Sequence, residues 1–355
     1  MIKILHVISD TNIGGAGRLL LNLLVEANRG LFDFSVVLPH GSLLKKEIEK
    51  LNVKVAESDL GFFDLCRIIK TEKPQIVHTH ACAKARIAAK ICGCKTVNTK
   101  HCAEDVYPQV PFYKRLAYFV FDAFFTDKTI ATAEYAKKNL TEHGIPTRKI
   151  AVIVNGSKPL KVLSESEKAS VRNRFGYSDK DFLIGIVARV EHGKGHECFL
   201  QAAEICLKRC PQAKFLIVGN GSLLEETKRM AQNMPNVKFL GFVQDVSKIM
   251  NILDVNVNCS YISETSSLSL SEGMSVGAIP VVSDCGGNRF MAEGCGIVFE
   301  KNNFEMLAKV ITDLSSNPEK LKLLSSKAKK RFSSLFTAEK MAEEMGKIYQ
   351  SLVKA

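Results

Sequence analysis

No stretch of the chain approaches the roughly 18 uninterrupted apolar residues of a membrane-spanning helix. The richest run, Ala117 to Phe125, is broken by Asp122, so an integral membrane protein is not expected. The opening MIKILHVI is shorter than a signal-peptide core and runs into Ser9, Asp10, Thr11 and Asn12 instead of a small-residue cleavage site, which predicts a first strand. A CxxC pair is also missing. Cys92 and Cys94 form a lone C-x-C, with Cys82 and Cys102 at distances that match no zinc knuckle, so no structural metal is expected. The eleven cysteines are an odd number, and Cys198, Cys206, Cys259 and Cys285 sit inside apolar patterns, as buried thiols of a reducing cytoplasm do. No basic-aromatic recognition motif occurs, so nucleic acid is not an expected partner.

What remains is an ordinary globular composition, 46% hydrophobic and 24% charged, over 355 residues. That length exceeds a single core and predicts two domains. The formal charge of +12 asks for an acidic partner, whether an anionic lipid or a phosphorylated substrate. It is dispersed: 22 Lys and Arg against 15 Asp and Glu before Gly156 give +7, leaving +5 for the rest.

Short apolar runs alternate with amphipathic ones, the signature of βα units on parallel sheets. KILHVIS, FSVVLP, VKVAES, IVHTH, KTVNT, TIATA and IAVIVN predict the strands of a first half. FLIGIVAR, KFLIVG, VKFLG, VNVNCS, IPVVSD and GIVF predict those of a second. A polar segment with Pro159 separates them, followed by a helical pattern in SESEKASVRNRFG. The expected domains are therefore 1–160 and 161–336. Residues 337–355 form a terminal amphipathic helix, with Met341, Met345, Ile348, Tyr349 and Leu352 on one face. It either packs on its own domain or crosses back to the first.

Gly14, Gly15 and Gly17 follow the first strand and open a helix, where backbone N–H groups can meet an anion. The full GxGxxG with a later acidic residue is absent, which argues against NAD. VGNGSLLEE repeats the idea in the second half with Gly219 and Gly221. Arg189 and Lys194 lie five residues apart on a glycine-flexed loop, fit to converge on a diphosphate. Glu264 is expected at the mouth of a helix starting at Leu268, after a loop from Ser263 to Ser267, with Glu272 about two turns further along the same face. Such carboxylates can accept hydroxyl hydrogen bonds at two points of one long polar ligand.

Taken in order, NIGGAGRLLLNL, PQIVHTH, TVNTKH, VIVNGS, ARVEHGKGH, FLIVGNGSL and Glu264-x7-Glu272 followed by GMSVGAIPVVSDCGG resemble the retaining glycosyltransferases of family 4 across essentially the whole chain. The resemblance implies the GT-B fold, two Rossmann-like doubly wound α/β domains facing across a cleft. It implies a metal-independent hexosyltransferase taking a UDP-sugar, with no cofactor, and a saccharide or lipid-linked acceptor entering from the N-terminal domain. In that frame Arg189 and Lys194 hold the donor diphosphate, Glu272 binds the ribose, Glu264 faces the transferred sugar and His101 stands beside it. Gly14, Gly15, Gly219, Gly221, Ser266, Ser267 and Leu268 complete the donor side, and His80 and Ala16 the acceptor side. The family often carries Glu-Gly-Phe-Gly where this chain has Glu264-Thr265-Ser266-Ser267. That departure keeps two alternatives open: a donor-binding inactive partner subunit, and a nucleotide-sugar epimerase of the same fold.

Three further motifs have plainer readings. His78-Thr79-His80 places two imidazoles on one strand face, but no third ligand is evident. Asp179-Lys180-Asp181 precedes a strand and reads as a turn. Tyr107 to Phe125 reads first as a buried helix after a Pro-containing loop, with a headgroup-zone patch around Lys114 and Arg115 as the alternative. The protein is expected to be cytoplasmic, with peripheral attachment to the inner face of an anionic membrane.

Overall fold

The computed structural model describes residues 1–11, 13–101, 111–262 and 264–354. Asn12, Cys102, Ser263 and Tyr107, all named above, lie outside these residues. The chain divides into two compact units, Met1–Lys158 together with Thr337–Ala355, and Pro159–Phe336.

The first unit is built on a parallel sheet of seven strands: β1 (Ile2–Ile8), β2 (Phe32–Leu38), β3 (Lys54–Glu57), β4 (Ile76–His80), β5 (Lys95–Lys100), β6 (Lys128–Ala131) and β7 (Ile150–Val152). Their order is β3-β2-β1-β4-β5-β6-β7. Helices on both faces leave no strand face to water, so central strands read as continuous apolar runs and not as alternations. Chain order reverses between β1 and β4, and the carboxyl ends of strands at such a reversal are where an open α/β sheet leaves a crevice. Gly14 and Gly15 follow β1, and His80 ends β4. The terminal helix Ala338–Lys354 belongs to this unit: it packs on the helix Gly15–Glu26 and on β1. Gly156 allows its entry, since a Cβ there would sit 2.4 Å from the Thr337 carbonyl oxygen.

The second unit repeats the plan with six parallel strands: β8 (Phe182–Val187), β9 (Ala213–Val218), β10 (Val237–Gly241), β11 (Val255–Asn258), β12 (Ile279–Ser283) and β13 (Ile297–Phe299). Their order is β10-β9-β8-β11-β12-β13, with the reversal between β8 and β11. Its core joins Phe199, Phe215, Phe299 and Ile311 across one face of the sheet. The helix Glu165–Arg174 opens the unit with a full capping box between Ser164 and Glu167, which satisfies orphan N–H groups at its start. All thirteen expected strands are present.

One expectation is overturned. The helix Phe112–Phe125 is not buried: Asp122 is its only buried residue, and every residue from Phe112 to Val120 is exposed. Composition alone implied burial; in the fold the side-chain hydrogen bonds to the body lie at the helix's carboxyl-terminal end, and the first nine residues stay exposed.

Candidate active site

In the second unit, the loops that leave the carboxyl ends of β8 and β11 meet beside the reversal point. Lys194, after β8, places its Nζ 3.0 Å from Oε2 of Glu264, after β11. Asn258 Nδ2 and Ser260 Oγ donate to the same oxygen at 3.2 and 3.1 Å. The Asn258 amide is oriented because its Oδ1 accepts the Ser260 N–H at 2.9 Å, so its Nδ2 must face the carboxylate. Oε1 of Glu264 has no hydrogen-bond partner among the described residues. Glu264 is thus held by one oxygen only.

Two glycine pairs set this geometry. A Cβ on Gly286 would lie 2.1 Å from the Glu264 carbonyl oxygen, and one on Gly287 1.7 Å from that of Thr265; the Gly287 N–H also donates to Glu264 O. Gly219 and Gly221 do the same for the cationic loop. Their Cβ positions would fall 1.9 and 2.1 Å from the carbonyl oxygens of Ala188 and Val190, so these glycines are required by backbone packing against the Arg189 loop. Glu191 ties that loop to the next by accepting from the Ser222 N–H and hydroxyl at 2.9 and 2.6 Å. Arg189 itself is exposed and makes no ion pair among the described residues.

Ser267 is the N-cap of the helix Leu268–Val276 and accepts from the Leu270 N–H. Glu264 therefore stands outside the helix and Glu272 in its second turn. The non-helical residues 264–267 and the helix start at Leu268 are as expected. Leu268 and Glu272 are both half-buried. Asp179-Lys180-Asp181 is the turn expected: Asp181 accepts from the Ser178 N–H and hydroxyl. It borders a cavity of about 480 Å³ that includes Arg172 and Asp254, where β8 and β11 begin, at the sheet edge opposite Arg189 and Glu264.

In the first unit, the HxH strand has the third imidazole that was not evident from sequence spacing. Register pairs His6 of β1 with His78 of β4, so both rings share a face with His80. His6 Nδ1 lies 3.1 Å from His80 Nε2, and His80 Nδ1 lies 2.9 Å from His101 Nε2. The His80 ring stacks on His78 and His101 with interplanar angles of 20° and 15°. His6, His78 and His80 are the one group of potential metal ligands among the described residues. Both His78 nitrogens, however, are engaged at 2.7 Å, by the Tyr349 hydroxyl and by the Thr99 hydroxyl. Burial pushes His6 down to about 3 and His101 to about 4, and drives His78 and His80 well below the usual 6.5. All four are therefore neutral near pH 7, each with one ring proton, and the tautomers of His6, His80 and His101 are a single coupled choice. Gly14 and Gly15 open the helix Gly15–Glu26 with nothing within 4 Å of a Cβ at either position, and Ala16 is half-buried. Packing does not explain those two glycines.

Sequence reading missed Asn258, Ser260 and His6. Each is a polar residue in a buried strand or just beyond its carboxyl end, and that placement at a sheet reversal is the signal that marks them.

Comparisons with known proteins agree with this layout. Residues 13–158 match the family described as Glycosyltransferase Family 4, and residues 167–331 the one described as Glycosyl transferases group 1. The chain belongs to the GT-B glycosyltransferases. It is 26% identical over 320 residues, 85% of this chain and 82% of the relative, to an Escherichia coli UDP-Gal:alpha-D-GlcNAc-diphosphoundecaprenol alpha-1,3-galactosyltransferase. It is 25% identical over 283 residues, 74% of each chain, to a Campylobacter jejuni alpha-1,4-N-acetyl-D-galactosaminyltransferase named for an undecaprenol-diphosphate-linked substrate. Among solved structures, Anabaena HepE in complex with UDP-glucose superposes with a TM-score of 0.86 at 21% identity, over 99% of this chain and all of that one.

Proposed function

We propose that the protein transfers a hexose-type sugar from a UDP-sugar to a lipid-linked saccharide, glycolipid or polysaccharide acceptor in cell-envelope glycan synthesis, with retention of anomeric configuration and without a metal. The observation that carries this reading is the half-satisfied carboxylate of Glu264, locked through Oε2 by Lys194, Asn258 and Ser260 and open at Oε1. The costly event in glycosyl transfer is departure of a diphosphate from an oxocarbenium-like carbon, and fixed charges aimed at the departing group lower that barrier. Arg189 and Lys194 supply positive charge at the sheet end where a donor would lie, in place of a divalent cation. Glu264 orients the sugar through its open oxygen, Glu272 takes the ribose hydroxyls, and Ser266, Ser267 and Leu268 line the donor. On the first unit the same reading gives Gly14, Gly15 and His101 to the donor, and His80 and Ala16 to the acceptor. The leaving phosphate takes the acceptor's proton as transfer proceeds on one face of the sugar.

The named substrates of the Escherichia coli and Campylobacter jejuni relatives support the acceptor class, and the UDP-glucose complex of Anabaena HepE supports the nucleotide. The test is a thermal-shift screen against UDP-, GDP- and ADP-sugars, since a ligand of the folded state raises its apparent stability with concentration. Donor turnover with and without EDTA then follows, with the product's anomeric configuration read by NMR. Stabilisation by UDP-sugars and EDTA-insensitive turnover to an α-linked product from an α-linked donor support the proposal. An inverted product, or loss of activity with EDTA, overturns its mechanistic part.

A further inference from the structure

Side-chain hydrogen bonds fix the helix Phe112–Phe125 at its carboxyl end. Arg86 Nη1 meets Asp122 Oδ1 at 2.7 Å and the Thr126 hydroxyl at 2.9 Å, and its guanidinium lies 4.6 Å from the centre of the Phe121 ring. Lys149 Nζ caps the other end of the same turn, donating to the carbonyl oxygens of Asp122, Ala123 and Thr126 at 3.0, 2.7 and 2.6 Å. The nine residues Phe112 to Val120 are each exposed and carry no side-chain hydrogen bond or ion pair among the described residues, although one side rests on Gly144, where a Cβ would lie 2.8 Å from the Arg115 carbonyl oxygen and 3.7 Å from the Phe119 Cβ. Seven of the nine, FYKRLAYFV, are apolar or aromatic; Phe112 is 79% exposed and Phe119 45%.

An exposed apolar stretch of this size marks a surface that something other than water covers. A second copy would bring two such basic pairs together, whereas an anionic lipid surface takes up both the aromatics and the two cations. The only charges in this half are Lys114 and Arg115, adjacent and both positive, and the first carboxylate, Asp122, is already taken by Arg86. At 1.5 Å per residue the segment is about 13 Å long, too short to span a bilayer and comparable to the depth of a headgroup and upper acyl layer.

We propose that the exposed half-helix Phe112–Val120 is a membrane anchor that inserts its aromatics into the interfacial zone of an anionic bilayer, with Lys114 and Arg115 on the lipid phosphates. The anchoring stands on the helix itself and does not depend on which sugar is moved. If the acceptor is lipid-linked, it brings the first unit to the surface where that acceptor resides.

The chain contains no tryptophan, so Phe119→Trp introduces a single reporter at the proposed insertion site. The full chain carrying it is mixed with phosphatidylcholine vesicles with and without phosphatidylglycerol, and emission and flotation are recorded. The expected result is a blue shift and co-flotation with the anionic vesicles. Adding Lys114→Glu and Arg115→Glu should weaken binding at least about tenfold, since each cation near an anionic surface contributes about that order. An unshifted emission without flotation overturns the proposal, as does anionic binding unaffected by the charge reversals. A blue shift that appears without vesicles and follows protein concentration assigns the helix to self-association instead.

Discussion

Unfolding the protein at pH 5.5 should take up several protons, and the structure says where they go. His6, His78, His80, His101 and His196 are all held below their usual pKa by burial, to about 3, 4 and 4 for His6, His101 and His196 and well below 6.5 for the other two. These are bases with depressed folded-state values, so below pH 6.5 the unfolded chain binds more protons than the folded one. Their contribution is intact above pH 6.5 and is lost as pH falls below it. At pH 5.5 an unfolded histidine is about 0.9 protonated and His6, His101 and His196, folded, almost not at all, so each of these three takes up about 0.9 proton. The corresponding loss between pH 8 and 5.5 is about 1.4 kcal/mol per histidine. The assay is proton uptake during guanidinium unfolding in weakly buffered solution, read with a pH indicator. His6→Asn should lower the uptake by about 0.9 proton relative to wild type, and His6→Asn with His101→Asn by about 1.8. A difference near zero would mean that the histidine stack is already charged when folded, and the neutral hydrogen-bonded chain to His101 would be wrong.

Gly287→Ala should destabilise the second unit by about 1–3 kcal/mol through overpacking and should cost donor turnover beyond that, because its Cβ would fall 1.7 Å from the Thr265 carbonyl and displace Glu264; urea melts and turnover at saturating donor separate the two. Arg86→Met leaves Asp122 buried and unpaired, and denaturant unfolding should show a loss of about 3–5 kcal/mol. Ser267→Ala should cost about 1 kcal/mol as a lost N-cap, while Ser267→Asn restores most of it. Rescue of turnover as well as stability by Asn would mark Ser267 as a cap; rescue of stability alone would mark its hydroxyl as a donor contact.

Much of the fold was legible because buried parallel strands are uninterrupted apolar runs bounded by Gly, Pro and polar residues, a pattern each strand from KILHVIS to GIVF carries. Arg189, Lys194 and Glu264 were legible as polar residues on loops leaving such strands. The contacts that orient them were not. Lys194 and Glu264 are seventy residues apart, and Tyr349 reaches His78 across 271; only strand order and register bring such pairs together. His6 was hidden for the same reason, since alternation on one strand reveals His78 and His80 but says nothing of the neighbouring strand. The reason for Gly219 and Gly221 was also hidden, because the backbone they accommodate belongs to another loop. The Phe112–Val120 segment misled in the opposite direction, because apolar composition predicts burial whether the cover is the protein or something outside it.

The central claim is that Glu264, Lys194 and Arg189 act on a nucleotide-sugar donor from the carboxyl end of the second sheet. Donor turnover by wild type, Glu264→Gln, Lys194→Met and Arg189→Ala, with UDP release followed at saturating UDP-sugar, tests it most directly. The account predicts that each variant folds with wild-type spectra and loses about 100-fold or more in kcat, the scale of removing one preorganised charge or donor from a transition state. Variants that turn over as fast as wild type, or a wild type no faster than they are, would contradict it and favour a donor-binding subunit without turnover.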